Sequence, residues 1–376
     1  MESICNQLLL CCLRGERWPP ELLAKALAID EGRAFLSVVV ERLGDLFDPK
    51  LCSIYAKLFT DAIGLIAPEL MPRMRRAGAP GKPPDSPNRI YVLSRVTLGA
   101  DIAVTSVMLD AAKKRYPNAE ILFVGPRKNF ELFEGDPRIQ HYPAPYPRSS
   151  SLRDRLAASA ALQLSGGVVI DPDSRLTQLG LLRVCDDQHY FFFPSRSYGE
   201  EGPGRLPGLA ARWAREVFGV EDAVPYIAPR PSSEEPADIT VSLGVGENEG
   251  KRIPGDFERE LLCELAATGA SILVDKGAGA EERERVEAAL PRGVRTHDGA
   301  FAAFAAEITR SKLFVGYDSA GGHAASACGV PVISIARGFA STRMAARWRP
   351  IGTVIDGDRP GVIEQVQRAI TCTFRH

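Results

Sequence analysis

The segment Gly316-Tyr317-Asp318-Ser319-Ala320-Gly321-Gly322-His323 lies between an apolar run and an Ala-rich stretch. A loop that leaves a strand and opens a helix in this way offers unpaired N–H groups to an anion, and its glycines let a ligand approach the backbone. Asp318 and Ser319 add polar groups at the mouth, and His323 falls in the first helical turn. The same residues also make an ordinary N-cap, a tight turn and a packed histidine. In Gly244–Pro254, three glycines precede Lys251 and Arg252, cations suited to neutralising a diphosphate leaving group. The spacing is not that of a P-loop, and no Ser or Thr follows the lysine. In Asp275–Glu282, Glu281 could meet a ribose or base, or simply favour a helix first turn. Asp101 closes a loop that carries Gly99, where a carboxylate serves as general base or as helix cap. Asp171-Pro172-Asp173 and Asp356-Gly357-Asp358 have D-x-D form, but with 47 acidic residues such pairs arise by chance. No functional metal is expected from them.

These loops need strands and helices to hold them. Residues 1–70 read as helices over Ser3–Leu13, Glu21–Ile29, Arg33–Phe47 and Leu51–Ile66, from apolar residues three and four apart. A breaker-rich basic stretch from Arg73 through Arg75, Arg76, Gly78 and Pro80 to Pro87 reads as a linker with solvated charges. From Arg89 the pattern changes to strand, helix, strand: Ile90–Leu93, Ile102–Arg115, Glu120–Val124. This is a βαβ unit and implies a parallel sheet. Val168–Ile170 and Tyr190–Phe193 extend that sheet, and Leu209–Phe218 is a closing helix. After a Pro-rich linker at 228–236, strands at Ile239–Leu243, Ser271–Val274, Lys312–Val315 and Val330–Ile335 alternate with helices. The chain therefore divides into a helical extension (1–78), two Rossmann-like lobes (88–227 and 237–350) and a tail or helix (351–376). Ligands of such sheets bind beyond the carboxyl ends of the strands.

Composition narrows the class. The 376 residues carry 46 Lys+Arg against 47 Asp+Glu, a formal net charge of −1. That balance argues against nucleic-acid binding, which needs concentrated positive charge. The apolar run Leu8–Leu13 is far shorter than the ~20 residues of a membrane span. It lacks a basic n-region and Glu2 precedes it, so no secretory signal is expected. None of the eight cysteines forms a C-x-x-C pair. Buried reduced thiols and a cytoplasmic location are the expectation.

Taken together, the loops resemble the ADP-heptose:lipopolysaccharide heptosyltransferase family. RIYVLSRVTLGADIAVTSVMLDAAKKRYP (Arg89–Pro117) resembles the family's opening strand, Gly-Asp turn and helix. LFVGYDSAGGHAASACGVPVISI (Leu313–Ile335) resembles its donor-binding signature, and Lys251-Arg252-Ile253-Pro254 its Lys-Arg-Trp-Pro turn. The likeness spans residues 89–350. It implies a GT-B fold, an α/β architecture of two Rossmann-like lobes facing across a cleft. It also implies metal-independent, inverting transfer of heptose or a similar sugar from a nucleotide-sugar donor, ADP-linked by preference, with no further cofactor. By motif, Asp101 matches the general base and Lys251 the cation on the diphosphate. Asp318, Ser319, Ala320, Gly321 and Gly322 match the donor loop, with His323 beside it. Gly246 and Arg252 flank the lysine, and Glu281 matches an acidic residue near the nucleoside.

The sequence departs from the family in three places. Gly-Asp becomes Ala100-Asp101 with Gly99 one place earlier, Trp becomes Ile253, and Gly246-Glu247 replace small polar residues. A glycan, lipid-linked or protein hydroxyl is the expected acceptor, with Tyr142–Arg155 and Ser195–Arg205 as stretches able to face it. Contact with the inner membrane face, and oligomerisation through residues 1–85, stay open. So do two other readings: a nucleotide-sugar epimerase of the same fold, and a nucleotide-sugar-binding protein without chemistry.

Overall fold

The computed structural model describes residues 2–75, 81–146, 149–199, 204–246 and 248–374. Arg76, Gly78 and Pro80 of the first linker, and Glu247, lie outside them. Two parallel sheets dominate. The first contains β1 (Arg89–Leu93), β2 (Glu120–Gly125), β3 (Ile139–Pro143), β4 (Val168–Asp171) and β5 (Tyr190–Phe192), in the order β3-β2-β1-β4-β5. The second contains β6 (Ile239–Ser242), β7 (Ile272–Asp275), β8 (Arg295–His297), β9 (Leu313–Tyr317), β10 (Val332–Ala336) and β11 (Thr353–Asp356), in the order β11-β10-β9-β6-β7-β8. Every strand pair is parallel. The central strands are buried along almost their whole length, as expected of sheets covered by helices on both faces. Each order reverses once, between β1 and β4 and between β6 and β9. At such a reversal the loops leave the sheet in opposite directions and open a crevice. This is the two-lobe GT-B architecture.

Three strands escape the sequence pattern. β3 (IQHYP) and β8 (RTH) are short, polar edge strands, and β11 also lies at an edge. β11 and the helix Val362–Phe374 make residues 351–374 part of the second lobe rather than a tail, since Val362, Val366 and Ile370 are buried in its core.

The N-terminal helices form a third layer. Pro49–Ile66 starts at Asp48, whose side chain accepts from the N–H groups of Lys50 (2.7 Å) and Leu51 (3.4 Å). The helix expected over Arg33–Phe47 forms continuously over 33–45, with a π-helical stretch at Phe35–Val40 running straight into Glu41–Asp45. The apolar core of this layer takes in Leu152, Leu156 and Leu182 from the first lobe. Arg73 and Arg75 are not solvated linker charges. Arg73 donates to the carbonyls of Ala160 and Arg183, and the Arg75 guanidinium lies 4.2 Å from the Tyr190 ring centroid. Both arginines pin the extension to the lobe. At its far end Phe47, 1% exposed, meets Trp348 of the second lobe edge-on at 6.3 Å. The extension thus touches both lobes. Cys5 and Cys12 are buried, Cys263 and Cys372 exposed, and the cysteines are free thiols. Among the described residues no helix is long and apolar enough to cross a membrane.

The shared core predicts that the extension and the first lobe unfold together. Leu156→Ala removes a fully buried side chain at their junction. It should cost about 2–5 kcal/mol. Urea denaturation followed by far-UV circular dichroism should show one transition, shifted to lower midpoint, rather than separate loss of the helical layer.

Candidate active site

Both sheet reversals open onto one cavity of about 250 Å³ between the lobes. From the first lobe it is lined by Arg95, Thr97, Gly99 and Ala100 after β1, by Asp173 and Arg175 after β4, and by Arg196. From the second lobe come Lys251 after β6, then Asp318, Ser319, Ala320 and His323 after β9. Asp45 and Phe47 of the extension complete the wall with Met344 and Trp348. Gly99 lies directly against the second lobe. A Cβ there would stand 3.2 Å from His323 Cδ2 and 3.5 Å from the Ala320 Cα, so a side chain would push the lobes apart.

Lys251 Nζ donates to the Asp318 carboxylate at 2.6 Å and to its carbonyl at 3.1 Å. An ammonium has three N–H donors, so one remains for a ligand oxygen. Ser319 occupies the N-cap of the helix Ala320–Ala327, yet its side chain makes no capping bond. Among the described residues its hydroxyl is buried and has no hydrogen-bond partner, and the same holds for the Nε atoms of Arg95 and Arg196, which line the opposite wall. Unpaired polar atoms gathered on one cavity are what a site built for a polar ligand leaves when viewed without it. His323 packs edge-on against Trp348 at 5.6 Å. Burial lowers its pKa, opposed by the nearby Asp318 carboxylate and reinforced by Lys251. The imidazole is therefore neutral at pH 7.

Other expected site residues lie elsewhere. Arg252 does not face the cavity, because Glu258 (3.2 Å) and Glu249 (3.0 Å) already hold its guanidinium. Gly246 is exposed, with φ +62° and nothing near it. Gly321 and Gly322 are buried in the helix, and a Cβ on Gly321 would strike the Phe314 ring at 2.5 Å. Gly321 serves helix–sheet packing, not ligand approach. Glu281 is exposed, whereas its neighbour Glu282 turns back onto the loops after β6 and β7 and accepts from the Ala278 N–H at 3.2 Å. Of the acceptor-side stretches, Ser195–Arg205 contributes Arg196, which pairs with Asp173 at 2.8 Å. Among the described residues, Tyr142–Arg155 supplies no wall residue. In the D-x-D pairs, Asp171 is buried under Thr177, Tyr190 and the Ser174 N–H, and Asp356 and Asp358 pair with Arg359 and Arg337.

The largest correction concerns Asp101. It is 0% exposed and points into the first lobe, away from the cavity. It accepts four hydrogen bonds of 2.6 Å, from Ser94 Oγ, the Arg95 N–H, Thr105 Oγ1 and Asn129 Nδ2. Burial raises its pKa, and the four donors pull the other way. Ser94 Oγ in turn accepts from the Val96 N–H at 2.8 Å. Val96 has φ +60°, a conformation a β-branched residue rarely adopts. Asp101 therefore fixes the strained loop that presents Arg95 and Thr97. The side chain facing the cavity next to Gly99 is the methyl of Ala100.

No family model matches this sequence, and no curated protein matches it. Solved structures do. The E. coli heptosyltransferase WaaC with ADP-2-deoxy-2-fluoro heptose is 17% identical, with a TM-score of 0.50 over 76% of this chain and 99% of that one. The E. coli ADP-heptose LPS heptosyltransferase II is 16% identical, with a TM-score of 0.54 over 76% and 98%. A glycosyl transferase family 9 structure from Veillonella parvula is 15% identical, with a TM-score of 0.55 over 76% and 97%. The chain shares the fold of these proteins.

Two expectations follow. In Asp101→Asn the amide NH2 would face two of the four donors, so stability should fall by about 1–3 kcal/mol. Thermal or urea unfolding of the variant measures that loss. For His323 the folded pKa lies below the usual 6.5, so the unfolded chain binds more protons as pH falls through that value. Its contribution is fully present above pH 6.5 and is lost on acidification. The melting-temperature advantage of wild type over His323→Gln should shrink between pH 7 and 5.

Proposed function

We propose that the protein is a glycosyltransferase. It moves heptose or a similar sugar from a nucleoside diphosphate donor to a glycan, lipid-linked or protein hydroxyl, without a metal and with inversion at the anomeric carbon. The carrying observation is the second-lobe wall: the spare N–H of Lys251 and the Ser319 hydroxyl, unpartnered among the described residues at a helix N-terminus, both on residues that line the interlobe cavity. Transfer needs stabilisation of the departing diphosphate, and a cation with N–H and O–H donors in a desolvated cleft supplies it. An ADP-linked donor is favoured because E. coli WaaC is described with ADP-2-deoxy-2-fluoro heptose and, in a further structure, with ADP. The cavity is smaller than the roughly 300–1,000 Å³ usual for ligand sites. A second cavity of about 600 Å³, lined by Ser334, Arg337 and Phe339, shares Asp318 with it. We place the donor across this junction, with the lobes separating at Gly99 to admit it and closing over it. Work at the cytoplasmic face fits such a donor.

One observation favours a second reading. With Ala100 on the wall and Asp101 turned inward, the first-lobe loop after β1 offers no carboxylate, as in a protein that binds nucleotide sugars without turning them over.

A thermal-shift panel of ADP-heptose, ADP-glucose, GDP-mannose and UDP-glucose tests donor binding. Ligand at 100 times Kd should stabilise the fold by about 2.7 kcal/mol. The largest shift is expected with an ADP-sugar, and Lys251→Met should abolish it. If none of the four shifts the melting temperature, the assignment is wrong.

A further inference from the structure

We propose that Asp45, carried by the N-terminal helical extension, is the proton acceptor for the attacking hydroxyl. This rests on the glycosyltransferase reading and supplies the base that the loop after β1 lacks.

Among the described residues, three carboxylates line the cavity: Asp45, Asp173 and Asp318. Two are committed. Asp318 is held by Lys251 at 2.6 Å, on the leaving-group side. Asp173 is 4% exposed, pairs with Arg196 at 2.8 Å and accepts from Ser195 Oγ at 2.7 Å. Asp45 is half-buried, and its carboxylate belongs to no hydrogen bond or ion pair among the described residues. Arg196 is near enough to feel its charge, but that guanidinium already holds Asp173. A carboxylate that lines a closed cleft and is spent on nothing is free to accept a proton.

Its position is fixed from both sides. Gly44 lies against Arg196, where a Cβ would stand 2.9 Å from the guanidinium Nε. Three residues on, Phe47 is seated on Trp348 with φ +56°, a conformation that folding tolerates only where the surroundings hold it. Asp48 then caps the next helix. The turn 45–48 is thus anchored to the first lobe at one end and to the second at the other.

In the step, the acceptor O–H proton passes to an Asp45 oxygen as that hydroxyl oxygen bonds to the anomeric carbon from the face opposite the diphosphate. The anomeric C–O bond breaks, and its electron pair leaves with the nucleoside diphosphate beside Lys251. Asp45 ends protonated and returns its proton to solvent.

The test uses the full-length chain with ADP-heptose, reading ADP release with water as the acceptor and the ADP-heptose thermal shift in parallel. Asp45→Asn is nearly isosteric and removes no hydrogen bond or ion pair among the described residues, so melting temperature and ADP-heptose shift should stay close to wild-type values. ADP release should fall about 100-fold or more. Asp45→Glu, which keeps the carboxylate, should retain part of the activity. Release by Asp45→Asn within threefold of wild type overturns the assignment, as does loss of release in His323→Gln alone, which would make the imidazole the base. A wild type stabilised by ADP-heptose that releases no ADP also overturns it, leaving the binding-protein reading. A wild type not stabilised by ADP-heptose removes the donor reading on which the proposal rests.

Discussion

The arrangement depends on strand direction. Because every strand in each sheet runs parallel, all the loops at strand carboxyl ends gather along one edge of the lobe. Where the strand order reverses, neighbouring loops diverge and leave a crevice. In the first lobe this happens between β1 and β4, and in the second between β6 and β9. The cavity-lining residues of the lobes come from those four loops, with Arg196 beyond β5 and Met344 and Trp348 beyond β10. No motif has to be invoked to place Arg95, Asp173, Lys251 and Ser319 around one space. Topology does it once the two reversal points face each other.

Facing alone would leave the lobes free to part, and two contacts oppose that. An apolar cluster continues from Ile102 and Val104 of the first lobe into Phe314, Ala324 and Ala325 of the second. The extension adds Phe47 on Trp348. The helical layer therefore does more than lengthen the first-lobe core. It is fastened to that lobe by Leu152 and Leu156, by Arg73 and by the stacked Arg75, and it reaches the opposite wall of the cleft. Any lobe motion must carry the turn 45–48 with one wall or the other.

Much of this was legible in the sequence. Buried parallel strands announce themselves as apolar runs, so β1, β2, β4, β6, β7, β9 and β10 could be read directly, as could the loops after β1, β6 and β9. Edge strands such as β3 and β8 carry too little apolar character to stand out from loops. Side-chain direction was harder. Whether a residue at a strand-to-helix junction faces the cleft or the lobe interior changes within one position. Thus Ala100 faces out and Asp101 in, and Glu282 rather than Glu281 turns toward the neighbouring loops. Arg252 looked like a second phosphate-binding cation, but Glu258 lies six residues on in the next helix and takes its charge. Asp45 carried no signal, because a carboxylate at a helix end is ordinarily a solvated surface residue.

Backbone strain shows which of these placements the fold maintains at a cost. Phe47, Val96 and Asp173 all have positive φ without being glycine. Phe47 and Asp173 line the cavity, and Val96 lies between two residues that do. Each such conformation costs of order 1–3 kcal/mol and persists only where neighbouring contacts over-determine it. For Val96 those contacts are the Ser94 hydroxyl and, behind it, the buried Asp101 carboxylate. For Asp173 they are Ser195 and Arg196, and for Phe47 the ring of Trp348. Three strained residues on three separate segments converge on one small space, whereas relaxed turns would have served if only packing were required. The buried Asp101 thus acts at the cleft after all, through the loop it holds.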